Sequence, residues 1–439
     1  MSRLLIHSGR VIDPARNFDR LANVLIENGV VVEVGENVGP GDREIDASGC
    51  IVCPGFIDTH VAFREPGTED DESVASGTAA ALAGGFTSVA CLPDTSPVVD
   101  NRASAEFLLL QGARANNCRV FPLGAVTKNH EGQELAEIGQ LLDGGAVAFT
   151  DAKQPIANAE IMRRALEYTA MFDRSIFEHP QVPELAADGV MHEGYVSTLL
   201  GLRGIPAAAE HIMVGRDLSL AALTRGRLHL MSVSVRRSIQ QIRDAKRNNI
   251  HVTCDVTPHH LALTDTSLTE FDANYKVDPP LRSQEHIAEL IVGLQDGTVD
   301  AISSDHQPYT EESKTGEVDL APAGIVGLET LLPICIHTLI EPNHLSWLEL
   351  IRKLTIGPAK ILQIDHGTLE VGAAADVTIF DPDEQWTIDP EAFRSHSRNT
   401  PFGGWEVRGR VRQVLVGGEL RFQLDTTGHE ATGPEATHV

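Results

Sequence analysis

The stretch PGFIDTHVAFREPG, residues 54–67, joins a short apolar strand to a polar loop. Residues 77–101, GTAAALAGGFTSVACLPDTSPVVDN, add an alanine-rich helical segment, a second apolar strand and a second polar loop. A strand, a helix and another strand in this order are typical of parallel sheets. The alternation continues to about residue 365, which predicts an α/β fold closed into a (β/α)8 barrel of the TIM type.

The two ends of the chain have a different pattern. Short β-branched runs separated by turn signals occur near both termini, for example at residues 30–34 and 411–416. They predict one small β-sandwich domain assembled from both termini. We therefore expect a composite β domain of residues 1–54 and 366–424, a barrel of residues 55–365, and a disordered tail of residues 425–439.

Composition and charge argue against several functional classes. The net charge is −27 and basic residues form no long cluster, so we expect no nucleic-acid partner. No apolar run has membrane-spanning length, and the first residues are expected to form a strand rather than a signal peptide. The six cysteines are scattered, and Cys50 and Cys53 have no second pair near them. Core thiols in a reducing cytoplasm are therefore expected.

Polar residues follow most of the predicted barrel strands. In such a barrel, reactive side chains lie just after the C-terminal ends of the strands. The residues at these positions are His60, Asp94, Asp151, His179, Ser232, His259, His260, Asp278, Asp305 and His306. Each alone is typical of a cap or turn, but together they suit a metal-assisted hydrolase with few imidazoles. Arg64 is suited to holding a carboxylate bidentately.

Several longer segments resemble those of the bacterial dihydroorotases, a family of the amidohydrolase superfamily. Beside residues 54–67 and 77–101 they are MHEG (191–194), GLRGIP (201–206), VTPHHLALTD (256–265), KVDPPLR (276–282), DGTVDAISSDHQP (296–308), APAGIVGLET (321–330) and NTPFGGWEVRGRV (399–411). The resemblance runs from about residue 3 to 422 in the family's order. It implies an amidohydrolase barrel that uses metal to cyclise carbamoyl aspartate to dihydroorotate in pyrimidine synthesis.

The resemblance also assigns metal positions, and two of them are changed. In the family, two zinc ions bridged by a hydroxide activate water and the amide carbonyl, while an aspartate shuttles the proton. The positions that match are His60, Asp151 (the bridging carboxylate), His179 and Asp305 (the proton shuttle), and the lost ligand positions are Ala62 and Ser232. Alanine has no donor atom and a neutral serine hydroxyl is a poor zinc ligand. The resemblance therefore implies a degenerate metal site with one ligand lost from each metal.

The substrate positions are altered as well. Arg64 stands where the family holds the substrate carboxylate. Asp94 and Asp278 replace asparagines of the family, and Tyr309 replaces a histidine. Carboxylates only accept hydrogen bonds, and their charge opposes a dicarboxylate substrate such as carbamoyl aspartate.

These changes predict a catalytically inactive protein, and we expect it to bind no cofactor. By family analogy it is a structural, non-catalytic subunit of an aspartate transcarbamoylase assembly, hence a hetero-oligomer. One alternative is an active cyclic amidohydrolase with a single metal, zinc or another divalent ion, held by His60, His179, Asp151 and Asp305. A second version uses Asp94 or Asp278 as new ligands for magnesium or manganese and acts on a different cyclic amide or imide. Another is a regulator whose Arg64 binds a small carboxylate. Restoring Ala62→His and Ser232→His is expected to recover metal binding but little turnover.

Overall fold

The structure, a computed structural model, describes residues 3–424, and the expectation of a disordered tail at 425–439 lies outside the described residues. The chain begins with strands of the small β domain: β1 Arg3–Asp13, β2 Phe18–Glu27, β3 Val30–Gly35, β4 Arg43–Asp46 and β5 Ile51–Pro54. β2 pairs antiparallel with both β1 and β3, while β4 and β5 run parallel to β1. Most buried apolar residues of these strands belong to a cluster separate from the main core, which Ile12, Ile51 and Cys53 join instead.

The middle of the chain forms an eight-stranded parallel barrel. Its strands are β6 Phe56–Val61, β7 Phe86–Cys91, β8 Arg119–Gly124, β9 Ala148–Phe149, β10 Ser175–Glu178, β13 Arg227–Leu230, β14 Val252–Val256 and β15 Ala301–Ile302, and a separate parallel pair is β11 Met191–His192 with β12 Gly204–Ile205. β6 and β7 are buried along their whole length, as expected of strands covered on both faces. A parallel bridge between Val61 and His306 brings the first strand to the segment after the last.

Helices follow the barrel strands. They are α1 Val74–Ala83, α2 Arg102–Ala115, α3 Ile138–Asp143, α4 Ala159–Ala170, α5 Pro183–Ala186, α6 Tyr195–Leu200, α7 Ala207–Thr224, α8 Arg236–Arg247, α9 Pro258–Ala262, α10 Gln284–Gln295, α11 Glu311–Lys314, α12 Leu331–Cys335, α13 Trp347–Leu354 and α14 Ile356–Leu362. The longer ones, such as α1, α2, α4, α7 and α8, pack against the barrel. α8 shows the pattern, because it buries Ile239 and Ile242 while its basic residues face outward. Within residues 3–424, no helix combines the length and the apolar character needed to cross a membrane.

The chain returns to the small domain with three strands, β16 Val377–Thr387, β17 Glu406–Val416 and β18 Glu419–Gln423. They extend one continuous, mostly antiparallel sheet, in which β16 pairs with β5 and β17 with β16. Arg119 of β8 ties this sheet to the barrel through an ion pair of 2.9 Å with Asp376. The predicted architecture, a barrel with a β domain built from both termini, is confirmed.

Candidate functional site

A cavity opens where the barrel strands end, at the place the sequence predicts for reactive side chains. It has a volume of about 400 Å3, and its lining includes Asp94, Asp151, Lys153, Asp278, Asp305 and Tyr309. A larger groove of about 580 Å3 lies beside the small domain and contains none of the predicted site residues. The smaller, acidic cavity is therefore the candidate functional site, and it is called the mouth of the barrel below.

Asp255 organises the charge inside the barrel beneath this cavity. One carboxylate oxygen accepts hydrogen bonds from Thr59 Oγ1 at 2.9 Å, His60 Nε2 at 3.0 Å and His229 Nε2 at 2.9 Å. The other accepts the backbone N–H of Ser232 at 2.7 Å. Burial raises the pKa of Asp255, but the two imidazoles outweigh it and hold that pKa well below its usual range. Asp255 is thus a buried anion that fixes His60 by the Nε2 atom.

His60 and Asp305, the two predicted positions that lie side by side, form a charged pair. Nδ1 of His60 lies 3.5 Å from Oδ1 of Asp305, and neither atom has a hydrogen-bond partner. Burial lowers the pKa of His60, but Asp255 and Asp305 outweigh it and raise that pKa to about 10. His60 is therefore an imidazolium at neutral pH, with a carboxylate on each side.

Lys153 completes the charge balance at Asp305. Its Nζ donates to Oδ2 of Asp305 at 2.8 Å and to the backbone carbonyl of Asp278 at 2.8 Å. Burial raises the pKa of Asp305, but Lys153 and His60 outweigh it and place that pKa well below the usual range. Asp305 is thus an anion with the Lys153 ammonium at Oδ2 and the His60 ring near Oδ1, rather than a free proton acceptor.

His179 and Asp278 form a second pair on the other side of the mouth. His179 Nε2 lies 3.2 Å from Oδ2 of Asp278, and Gln181 Nε2 donates to Oδ1 at 2.7 Å. Burial raises the pKa of Asp278, but His179 outweighs it and lowers that pKa. The Nε2 atom of His179 therefore faces Asp278, at the position where the resemblance implies an asparagine.

Asp151 does not join the other predicted metal positions. Its Oδ1 accepts the backbone N–H groups of Val126 and Thr127, each at 2.9 Å, and its Oδ2 accepts the hydroxyl of Thr127. These bonds tie the loop after β9 to the loop after β8. In this arrangement Asp151 secures two loops, and each of its oxygens accepts at least one hydrogen bond from the chain.

Arg64 is held by Asp94, Gln307 and Tyr309. Its guanidinium donates to Asp94 at 2.7 Å and to Gln307 at 2.8 Å, and it lies 4.9 Å from the centre of the Tyr309 ring. The side chain is 9% exposed. A guanidinium bound in this way has its charge compensated within the protein, while its Nε atom is buried without a hydrogen-bond partner.

Sequence reasoning missed four residues that shape the mouth: Lys153, Gln181, His229 and Asp255. Lys153 had a visible signal, because it is a charged residue in the same loop as Asp151 and so lies on the same rim. Asp255 and His229 also had one, since each is a polar residue within an otherwise apolar barrel strand. Gln181 had none, because a neutral amide after a strand is common in loops.

Comparisons with known proteins agree with the resemblance seen in the sequence. A family profile described as "Dihydro-orotase-like" matches residues 49–238, and one described as "Amidohydrolase family" matches residues 311–422. A protein of Syntrophotalea carbinolica named Dihydroorotase is 47% identical over 423 residues, covering 96% of this chain and 99% of the relative. The chain belongs to the dihydroorotase family. A Dihydroorotase of Syntrophus aciditrophicus is 46% identical over 96% of this chain and 100% of the relative.

Solved structures place this dihydroorotase-family chain among cyclic amidohydrolases. The L-hydantoinase (dihydropyrimidinase) of Arthrobacter aurescens superposes with a TM-score of 0.86 at 25% identity, covering 96% of each chain. A D-hydantoinase of Bacillus sp. AR9 superposes with a TM-score of 0.80 at 25% identity, covering 96% of this chain and 95% of the other. A D-hydantoinase of Thermus sp., at 22% identity and a TM-score of 0.80, shares the fold.

The comparisons confirm some of the predictions made from the sequence and leave others untested. The family is confirmed, and with it the amidohydrolase class. The relatives carry the name of an ordinary dihydroorotase, so they favour the active alternative over an inactive chain. They give no sign of a transcarbamoylase partner. The individual site assignments stay predictions.

The family implies a divalent metal, zinc first, and the donor set of this chain does not fit one. Within residues 3–424, no group of three or more His, Cys, Asp or Glu side chains is arranged to hold a metal ion. Both ring nitrogens of His60 face carboxylates, Nε2 that of Asp255 at 3.0 Å and Nδ1 that of Asp305 at 3.5 Å. The oxygens of Asp151 are bound to Val126 and Thr127, and an ammonium lies on Asp305.

The backbone of the mouth has an unusual conformation at three rim residues. Ala152, Ser232 and Asp305 have φ angles of 53°, 49° and 48°, in the left-handed region that residues other than glycine seldom adopt. Each of them follows a barrel strand. The three residues therefore bend the backbone sharply at the start of three loops of the rim.

Proposed function

We propose that this chain is a dihydroorotase-family protein of pyrimidine synthesis that does not perform the family's metal-dependent hydrolysis. The observation that carries the proposal is the ammonium of Lys153 on Asp305, 2.8 Å from Oδ2. Asp305 is the residue to which the resemblance assigns proton transfer. An acid that is held ionised by a lysine and a protonated histidine is a poor acceptor for the proton of an attacking water.

The other charged groups of the cavity support the same proposal. Asp278 is bonded to His179 and Gln181, and Asp94 is bonded to Arg64. Each carboxylate of the mouth thus has a partner within the chain. A dicarboxylate substrate would have to separate the Arg64–Asp94 pair to reach the guanidinium, and this lowers its affinity.

A second candidate is an active cyclic amidohydrolase that interconverts carbamoyl aspartate and dihydroorotate. The 42–47% identity to proteins named Dihydroorotase favours it. The retained His60, His179 and Asp305 would have to turn toward a common point, and Lys153 would have to leave Asp305, before zinc or another divalent metal could bind. Hydrolysis would then use the metal to activate water.

One experiment separates the two candidates. The protein is purified without chelator, its zinc and manganese are measured by elemental analysis, and dihydroorotate hydrolysis is assayed with each metal added. We expect well under one metal per chain and a turnover more than about 1,000-fold below that of the Syntrophotalea carbinolica relative assayed in parallel. Stoichiometric metal with turnover near that of the relative would establish the active candidate instead.

We also propose a partner, the catalytic chain of aspartate transcarbamoylase, on family analogy. The exposed apolar side chains Tyr195 and Leu199, one turn apart on α6, support a partner surface, since they are 82% and 65% exposed. Co-expression with the transcarbamoylase of the same organism is expected to give co-elution on size exclusion. A Tyr195→Glu and Leu199→Glu variant is expected to reduce it. Separate elution of the unaltered pair, with unchanged transcarbamoylase activity, would count against this partner.

A further inference from the structure

Lys153 holds a fixed position in the mouth rather than a place on the surface. Its side chain is 21% exposed, and its Nζ atom bonds the Asp305 carboxylate and the Asp278 carbonyl, each at 2.8 Å. These partners belong to two different loops of the rim. The ammonium is therefore anchored from two sides beside a carboxylate that is only 4% exposed.

A charge in this position acts on any cation that approaches Asp305. Metal–oxygen bonds to carboxylates are about 2.0–2.2 Å long for zinc. A metal bonded to Asp305 would thus lie only a few ångströms from the ammonium, in surroundings that screen charge poorly. The two cations compete for one carboxylate, and the lysine is covalently attached to the protein.

We infer that Lys153 excludes divalent metal from the barrel mouth and supplies in its place the positive charge that Asp305 requires. The inference rests on the proposed non-hydrolytic function and gives it a cause in one residue. It also separates two effects. The missing ligands at Ala62 and Ser232 weaken a metal site, whereas Lys153 opposes one even where ligands are restored.

The test is a calorimetric titration of ZnCl2 into a matched set of variants. The set comprises the natural protein, Ala62→His, Ala62→His with Lys153→Met, and Ala62→His with Lys246→Met. Lys246 is the control because it forms an ion pair of 2.6 Å with Asp300 and is 24% exposed, away from the mouth. Circular dichroism and the Tm of each variant verify that it is folded.

We expect Ala62→His alone and its combination with Lys246→Met to bind zinc weakly, and the combination with Lys153→Met to bind it at least about 10-fold more tightly. Among the four proteins, zinc should raise the Tm only of Ala62→His with Lys153→Met. Lys153→Gln, which keeps a hydrogen-bond donor without the charge, should give the same gain. It replaces Lys153→Met if that variant fails to fold.

Equal zinc affinity of Ala62→His with and without Lys153 would overturn the inference, as would an equal gain from the Lys246 control. Neither result would touch the proposed function. Conversely, stoichiometric metal and turnover in the natural protein would overturn both. The two failures are therefore distinguishable.

Discussion

Replacing Asp255 with alanine is expected to lower the free energy of unfolding by about 3–5 kcal/mol, because the change removes the anion of a buried charge pair and leaves the cation behind. His60 would lose the bond to its Nε2 atom, and His229 and the Ser232 backbone N–H would lose their acceptor in a fully buried place. Each unsatisfied donor adds a desolvation cost of about 1–3 kcal/mol.

Urea unfolding followed by circular dichroism measures this effect. Glu106→Ala is the control, because Glu106 forms an exposed ion pair of 2.7 Å with Arg102 and should contribute under about 1 kcal/mol. Asp255→Asn, which keeps the shape but not the charge, should fall between the two. A loss for Asp255→Ala no larger than that of Glu106→Ala would show that the barrel interior does not depend on this anion.

The second large effect concerns repair of the metal site. A variant with Ala62→His, Ser232→His and Lys153→Met is expected to bind zinc, yet to hydrolyse dihydroorotate only slowly. Adding Asp94→Asn and Asp278→Asn should raise its turnover roughly 100-fold, because amides can donate to the substrate and no longer repel its carboxylates. Histidine is among the residues that tolerate the left-handed backbone found at position 232.

Steady-state hydrolysis of dihydroorotate, with zinc content measured on the same samples, tests this prediction. Asp305→Asn, added to the variant with all five substitutions, is the control and should remove the gained turnover. High turnover already in the variant with only the first three substitutions would mean that Asp94 and Asp278 matter little. The prediction also revises what the sequence suggested, since two restored histidines are now expected to be insufficient while Lys153 remains.

The fold could be predicted from the sequence because its signals are local and repeated. Apolar strand runs such as residues 86–91 alternate with helical segments, and a capping serine at 73 begins α1 where the pattern starts. The pairing of both termini in one sheet followed from the similar β-rich character of the two ends. None of these conclusions requires knowledge of a side-chain direction.

The site could be predicted only as a set of positions. The sequence places Asp151 on the rim, but the direction of its carboxylate depends on the backbone N–H groups of Val126 and Thr127. Likewise Arg64 is present as expected, yet its pairing with Asp94 is a matter of two side-chain conformations. Motif matching compares residues one position at a time and therefore overlooks a compensating residue such as Lys153.

The Lys153–Asp305 pair has a consequence for how this protein is made in the cell. A protein whose folded state includes a metal gains stability from binding it and is weakened by chelators. Here the charge of Asp305 is balanced by Lys153 and His60, which are part of the chain itself. Under the inference that Lys153 excludes metal, maturation would need no metal insertion, and we expect the cellular abundance of the protein to stay constant when zinc becomes scarce.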